Sequence, residues 1–239
     1  MTALGIILAR AGSKGLPHKC IRPLLGRPLI EYTFEHALAA TSLDDVVLTT
    51  DSQPARELAE RCGIRTIERP AILATDTATV DAAARHAVET WEADSGRRAD
   101  IVVLLYANVP VRPPTLIDRA VELLARSGAD SVRSVAPVGK HHPDWLHRLD
   151  GDRMSQFRPN SIYRRQDLEP LYYHDGAVVA VRRRALFDAL LTPDDKQAFL
   201  GRDRRAIVLR PDEAVDIDEP LDLLLAKAIL QARMESALT

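Results

Sequence analysis

The stretch Leu4-Gly5-Ile6-Ile7-Leu8-Ala9-Arg10-Ala11-Gly12-Ser13-Lys14-Gly15-Leu16-Pro17-His18-Lys19 decides the reading of this chain. Residues 4–9 form an apolar run too short for a helix and bounded by turn formers, which predicts a fully buried strand. The run breaks into a loop with two glycines, a serine and the cations Arg10, Lys14 and Lys19. The chain has five lysines, and two of them fall in this loop. Glycines let backbone N–H groups turn toward an anion, and the cations balance its charge. The stretch therefore predicts a polyphosphate cradle at the carboxyl end of the first strand of an α/β sheet, where such sheets bind ligands. Solubility alone is the competing reading of such a loop. It matches neither G-x-G-x-x-G nor G-x-x-x-x-G-K-[ST], so the dinucleotide and P-loop fingerprints are absent.

Working outward, 239 residues fit one large α/β domain or a domain with an appended arm. A net charge of −2 gives no reason to expect nucleic acid or an anionic membrane as partner. Cys20 and Cys62 form no C-x-x-C, which fits a reducing, cytoplasmic setting. The start of the chain lacks a charged leader region, and no apolar run reaches membrane-spanning length. These features argue against secretion and insertion.

The pattern predicts helices at about 29–40, 54–62, 80–92, 115–128, 184–191 and 220–235. Strands are expected at 45–50, 64–68, 100–106, 131–138, 176–181 and 206–209. Alternating strands and helices give a doubly wound, mostly parallel, Rossmann-like sheet. Apolar periodicity fades over 139–173, and a structureless loop of that length does not suit a compact domain. This segment reads as an inserted arm, a subunit contact or a lid over the substrate, within a single domain spanning 1–239.

Several residues are candidates for chemistry. Asp216 and Asp218 lie two apart, so an extended backbone points both carboxylates to one face. That is what a hard cation such as Mg²⁺ needs; the competing reading is that Asp218 caps the helix starting at Glu219-Pro220. Arg69 precedes the polar string Thr75-Asp76-Thr77-Ala78-Thr79, able to read a base or ribose, or else to cap the next helix through Asp76 or Thr77. Arg164-Arg165-Gln166-Asp167 suits an anionic substrate through forked guanidinium contacts, or is a solvated charge run. Arg182-Arg183-Arg184 reads as a solvated helix start. His141, His142 and His147 have no cysteine near, and polar contacts in the arm suit them better than zinc.

Taken together, these segments resemble the acylneuraminate (sialic acid and related nonulosonic acid) cytidylyltransferases, also called CMP-sugar synthetases. The matching pieces are residues 7–17 with Lys19, Thr49-Thr50-Asp51, residues 69–77, Pro110-Val111-Arg112, His142-Pro143, Arg165-Gln166-Asp167-Leu168, Asp175-Gly176-Ala177 and Asp216-Ile217-Asp218. The resemblance implies that CTP binds with its triphosphate in the first loop. The anomeric hydroxyl of a nine-carbon 2-keto acid sugar then attacks the α-phosphorus, giving CMP-sugar and pyrophosphate with Mg²⁺ required. It implies Arg10, Gly12, Ser13 and Lys19 at the triphosphate and Arg69 and Thr77 at the cytidine. Tyr106, Asn108, Arg165 and Gln166 would be at the sugar, and Asp216 and Asp218 at Mg²⁺; Arg10, Lys19 and the two aspartates would be the catalytic set. It also implies a homodimer whose arm reaches the partner's site. Protein positioning and charge neutralisation suffice for such a transfer.

The chain departs from the family at three polar positions. Tyr106 stands where members using N-acetylneuraminate carry a Gln near the reacting sugar. Trp145 stands where some place a Lys, and Tyr173 where an Arg precedes the Asn-Gly-Ala turn. Aromatics lose charge contacts and gain apolar area, which predicts a less polar nonulosonic acid, legionaminic- or pseudaminic-like. The alternatives are another 2-keto acid sugar such as Kdo, a catalytically weakened nucleotide-binding homologue, or an NAD-type oxidoreductase, which the missing glycine fingerprint disfavours.

Overall fold

The computed structural model describes residues 1–12, 16, 19–192 and 194–236. In chain order the strands are β1 (Ala3–Leu8), β2 (Pro23–Leu24), β3 (Arg27–Pro28), β4 (Asp45–Thr50), β5 (Arg65–Glu68), β6 (Ile101–Tyr106), β7 (Ser131–Pro137), β8 (His147–Asp150), β9 (Arg153–Gln156), β10 (Tyr172–Arg182) and β11 (Arg204–Val208). The helices are α1 (Leu29–Ala39), α2 (Gln53–Arg61), α3 (Val80–Ser95), α4 (Leu116–Ser127), α5 (Arg183–Asp188) and α6 (Pro220–Ser236). Seven strands form one sheet in the order β11-β7-β10-β6-β1-β4-β5. All neighbours are parallel except at β10, which runs antiparallel to both β6 and β7.

The apolar run of β1 is continuous because both of its faces are covered. Ile7 joins Phe34, Leu58 and Leu124, from α1, α2 and α4, on one side. Ile6 joins Val88, Trp91 and Leu186, from α3 and α5, on the other. Burying each such side chain stabilises the fold by roughly 1.5–3 kcal/mol. The sheet is thus doubly wound as expected. From β1 the chain steps outward through β4 and β5, then crosses back through α3 to β6 on β1's other side. That reversal opens a crevice at the carboxyl ends of β1 and β6.

A third cluster packs Val111, Val215, Ile217 and Ala226 together with Leu29 and Tyr32. It seats α6 and the segment before it over the carboxyl edge of the sheet. The N-terminus of α6 is held by Asp222, whose Oδ2 accepts from the N–H groups of Asp218 (2.9 Å) and Glu219 (2.8 Å). An acid at the third helical position reaching back in this way is half of a capping box. Asp218 itself is therefore not the cap.

Two further readings are corrected, and one hairpin had not been expected. The strand expected at 176–181 starts at Tyr172, and its pairing with β7 shifts register between His174 and Val179. Pro23 to Pro28 forms a small hairpin whose turn residues, Leu25 (φ 49) and Gly26 (φ 83), both adopt positive φ, the type I′ pattern. The three consecutive arginines are not solvated spectators. Arg182 donates to the carbonyls of Ala129 (2.8 Å) and Leu124 (3.0 Å) at the end of α4. Arg183 grips both oxygens of Glu92 at 2.8 Å, and Arg184 pairs with Asp130.

The 139–173 arm contains the exposed hairpin β8–β9. His142 is buried there; its Nδ1 accepts from the Asp144 N–H at 3.2 Å and its Nε2 lies 3.0 Å from the Glu169 carbonyl. Among the described residues no three His, Cys, Asp or Glu side chains converge as metal ligands, and no helix is long and apolar enough to cross a membrane.

Candidate active site

At the crevice beside β1 a cavity of roughly 300 Å³ is lined by Arg10, Gly12, Lys19, Cys20, Arg69, Thr75, Asp76, Thr79, Tyr106 and Asn108, among others. Arg10, Arg69 and Tyr106 are each placed by the end of a strand. Arg10 follows β1, and the loop there is anchored by Asp51, at the end of β4, whose Oδ1 accepts from the Ala11 N–H at 2.8 Å. Arg69 follows β5 and is buried; its Nη2 donates to the Thr49 carbonyl at 2.8 Å. Burial lowers the pKa of Arg69, and Asp51 opposes that shift. Tyr106 ends β6. Burial raises its phenol above the usual value.

The two described cations of the first loop, Arg10 and Lys19, already meet acids. Arg10 Nη1 lies 2.8 Å from Asp76 Oδ1 and donates to the Thr75 carbonyl at 3.2 Å. Lys19 reaches Asp218 across the crevice. Asp216 lies on the inner side of the same segment, half-buried, and accepts from Asn108 Nδ2. Burial first, then the neighbouring Asp218, raise the Asp216 carboxyl to about 6, against the pull of Lys19 and Arg112.

Beneath the cavity floor, Arg112 is fully buried. Its guanidinium donates to the carbonyls of Ala177 (2.7 Å), Tyr106 (2.8 Å) and Val109, and to the Thr33 hydroxyl (2.9 Å). It ties β10, α1 and the loop after β6 into one block. Burial depresses its pKa to about 9.

Of the residues expected at the site, the fold gathers Arg10, Gly12, Lys19, Arg69, Tyr106 and Asn108 around one cavity. Asp216 and Asp218 join it through Asn108 and Lys19. Thr77 is exposed outside the lining, its hydroxyl 3.3 Å from that of Thr75; the helix that follows has no side-chain cap from it or from Asp76. Arg165 and Gln166 line a separate cavity of about 260 Å³ in the arm, with His142 and Glu169. Ser13 falls outside the described residues. Sequence reasoning gave no role to Asp51, Arg112 or Gly176; the signal was available, since all three lie in the matching segments.

A cleft of this kind, at the switch point of a doubly wound sheet, is where α/β proteins of this class bind their ligands. Within that class the sequence decides: residues 4–203 match the family model described as Cytidylyltransferase, and the chain belongs to the cytidylyltransferase family. It is 35% identical over 182 residues to an N-acylneuraminate cytidylyltransferase of Streptococcus agalactiae, covering 74% of this chain and 43% of that protein. The chain thus spans less than half the length of that curated relative. It is 29% identical over 242 residues to the CMP-N,N'-diacetyllegionaminic acid synthase of Legionella pneumophila, with 99% of both chains covered. Its fold matches a CMP:2-keto-3-deoxy-manno-octonic acid synthetase solved with CTP, at a TM-score of 0.71 and 18% identity, over 98% of this chain and 100% of that one.

Proposed function

We propose that this protein transfers CMP from CTP to the anomeric hydroxyl of a nonulosonic 2-keto acid sugar and releases pyrophosphate. The observation that carries the reading is the meeting of Lys19 and Asp218, which closes the cation loop onto the paired acids beside the cavity. The sugar hydroxyl forms a bond to the α-phosphorus as the bond to the pyrophosphate oxygen breaks. Arg10, Lys19 and the Gly12 N–H lie along the path of the triphosphate and hold it in line, while Arg69 holds the nucleoside end. A reaction of this kind gains most from fixed geometry and from neutralised charge.

The donor set of Asp216 and Asp218 fits Mg²⁺, which binds through one or two carboxylates and keeps waters and substrate phosphates for its other positions. When bound, the ion supplies charge neutralisation on the phosphates. The residues' own part is to present two acids at one side of the cavity.

Tyr106 lines the cavity, and the Trp145 indole N–H donates to the Ile162 carbonyl at 3.0 Å within the arm. These aromatics support a sugar carrying deoxy or methyl groups, legionaminic- or pseudaminic-like, over N-acetylneuraminate. The arm exposes Leu149, Met154 and Tyr163, which supports a homodimer in which Arg165 and Gln166 of one protomer face the sugar in its partner.

The test is pyrophosphate release from CTP and Mg²⁺ across a panel of N-acetylneuraminate, legionaminic, pseudaminic and Kdo sugars. Release with a nonulosonic acid is expected, fastest with the less polar ones. Absence of release with every sugar overturns the activity; a clear preference for N-acetylneuraminate overturns the specificity. For the dimer, mixing inactive Asp216→Ala and Arg165→Ala chains restores part of the activity if sites are shared between protomers.

A further inference from the structure

Asn108 makes more contacts with the acid-bearing segment than any sugar-binding role requires. Its side-chain Nδ2 donates to Asp216 Oδ1 and, at 3.1 Å, to the Ile217 carbonyl. Its backbone carbonyl accepts from the Ile217 N–H at 2.9 Å. On the other side of the carboxylate, Oδ2 faces Gly176, where a Cβ would stand only 2.9 Å away. The Asp216 carboxylate is thus held at one oxygen by an amide and pressed at the other against a bare α-carbon.

The backbone of the segment has independent anchors. Val215 bridges to Val111, Ile217 is fully buried, and the Asn108 carbonyl bond survives any change of side chain. The 3.1 Å bond of the amide to the Ile217 carbonyl is therefore one fastening of the chain among several. At Asp216 the amide holds the direction of the carboxylate, and it does so as a neutral donor that leaves the charge in place. Groups behind a metal-binding carboxylate orient it in this way, and losing one typically weakens metal affinity ten- to a hundred-fold.

We infer that Asn108 is a positioning residue, which aims the Asp216 carboxylate at the divalent cation of the CTP complex and makes no essential contact with the sugar. The inference rests on the nucleotidyl transfer proposed above. It is tested by calorimetric titration of CTP without sugar, so that no turnover occurs, once with EDTA and once with saturating Mn²⁺. The variant is Asn108→Leu, close in size and lacking the donor; Asn108→Thr restores a hydroxyl donor.

The wild type is expected to bind Mn²⁺·CTP more tightly than metal-free CTP. In Asn108→Leu that ratio falls by about tenfold or more, metal-free CTP binds as before, and Asn108→Thr recovers part of the ratio. The KM for the sugar stays unchanged in both variants. An unchanged ratio in Asn108→Leu overturns the inference, as does a raised sugar KM with the ratio intact. Loss of metal-free CTP binding also overturns it, by making Asn108 a general support of the fold. A wild type with no metal-dependent gain removes the metal role of Asp216 and Asp218 itself, a failure of the proposed function seen before any variant is made.

Discussion

The ammonium of Lys19 lies 2.7 Å from Oδ1 of Asp218, a residue 199 positions further along the chain. The side chain of Lys19 is 15% exposed and that of Asp218 is 71% exposed, so the pair contributes at most about 1 kcal/mol to folding. Its value lies in what it joins, the loop after β1 and the segment before α6. Lys19→Met is expected to leave the urea midpoint nearly unchanged. A charge-assisted hydrogen bond is worth roughly 1.5–3 kcal/mol, so CTP affinity falls about 10- to 100-fold. Unaltered CTP affinity by calorimetry removes Lys19 from the cradle.

Arg112→Ala is expected to destabilise the fold by about 3 kcal/mol or more, because it takes the side-chain donor from the Ala177 carbonyl, weakens the bonding of the Tyr106 and Val109 carbonyls, and opens a void. Equilibrium urea unfolding measures this. A loss below about 1 kcal/mol contradicts the view that Arg112 binds β10, α1 and the loop after β6 together.

The pH dependence of Asp216 has a definite sign. Its folded pKa, about 6, lies above the ordinary 3.8, mainly through burial and then through Asp218. Its protonated form therefore favours the fold; that contribution is complete below about pH 4 and lost as pH rises through about 6. Asp216→Asn keeps the site neutral throughout. In metal-free protein, the variant's stability relative to wild type should rise between about pH 4 and pH 7. A difference that stays flat over this range refutes the burial account. The same variant is expected to abolish metal-dependent pyrophosphate release.

Gly176 adopts φ +73, and a Cβ there would meet Asp216 Oδ2 at 2.9 Å. Gly176→Ala combines left-handed strain of roughly 1–2 kcal/mol with displacement of the carboxylate. The expected result is a modest drop in unfolding midpoint and a much larger drop in pyrophosphate release. Equal, small effects on both would show that the contact does not matter to the site.

The sequence made some of this legible and hid the rest for physical reasons. Strands β1 and β6 were readable because both faces are buried and their apolar runs are unbroken. The start of α2 was readable because Ser52 is a true cap, accepting from the Ala55 N–H. The first half of β10 was hidden because residues 172–174 are exposed tyrosines and a histidine, polar enough to pass for loop. Asp216 and Asp218 could be chosen from their spacing, but their fastening could not, since it comes from Asn108 and Lys19, remote in sequence. Arg182, Arg183 and Arg184 read as solvated because nothing local shows the carbonyls and acids that await them on α3, α4 and the turn before β7.

With Arg10 paired to Asp76 and Lys19 to Asp218, a triphosphate entering the crevice must compete with resident carboxylates for these two cations. Each exchange that the nucleotide wins sets an acid loose, and Asp218 is released beside Asp216 as Lys19 turns to phosphate. Arrival of the nucleotide would then itself uncover the second arm of the cation clasp, so the resting enzyme would hold free metal weakly and the loaded one firmly.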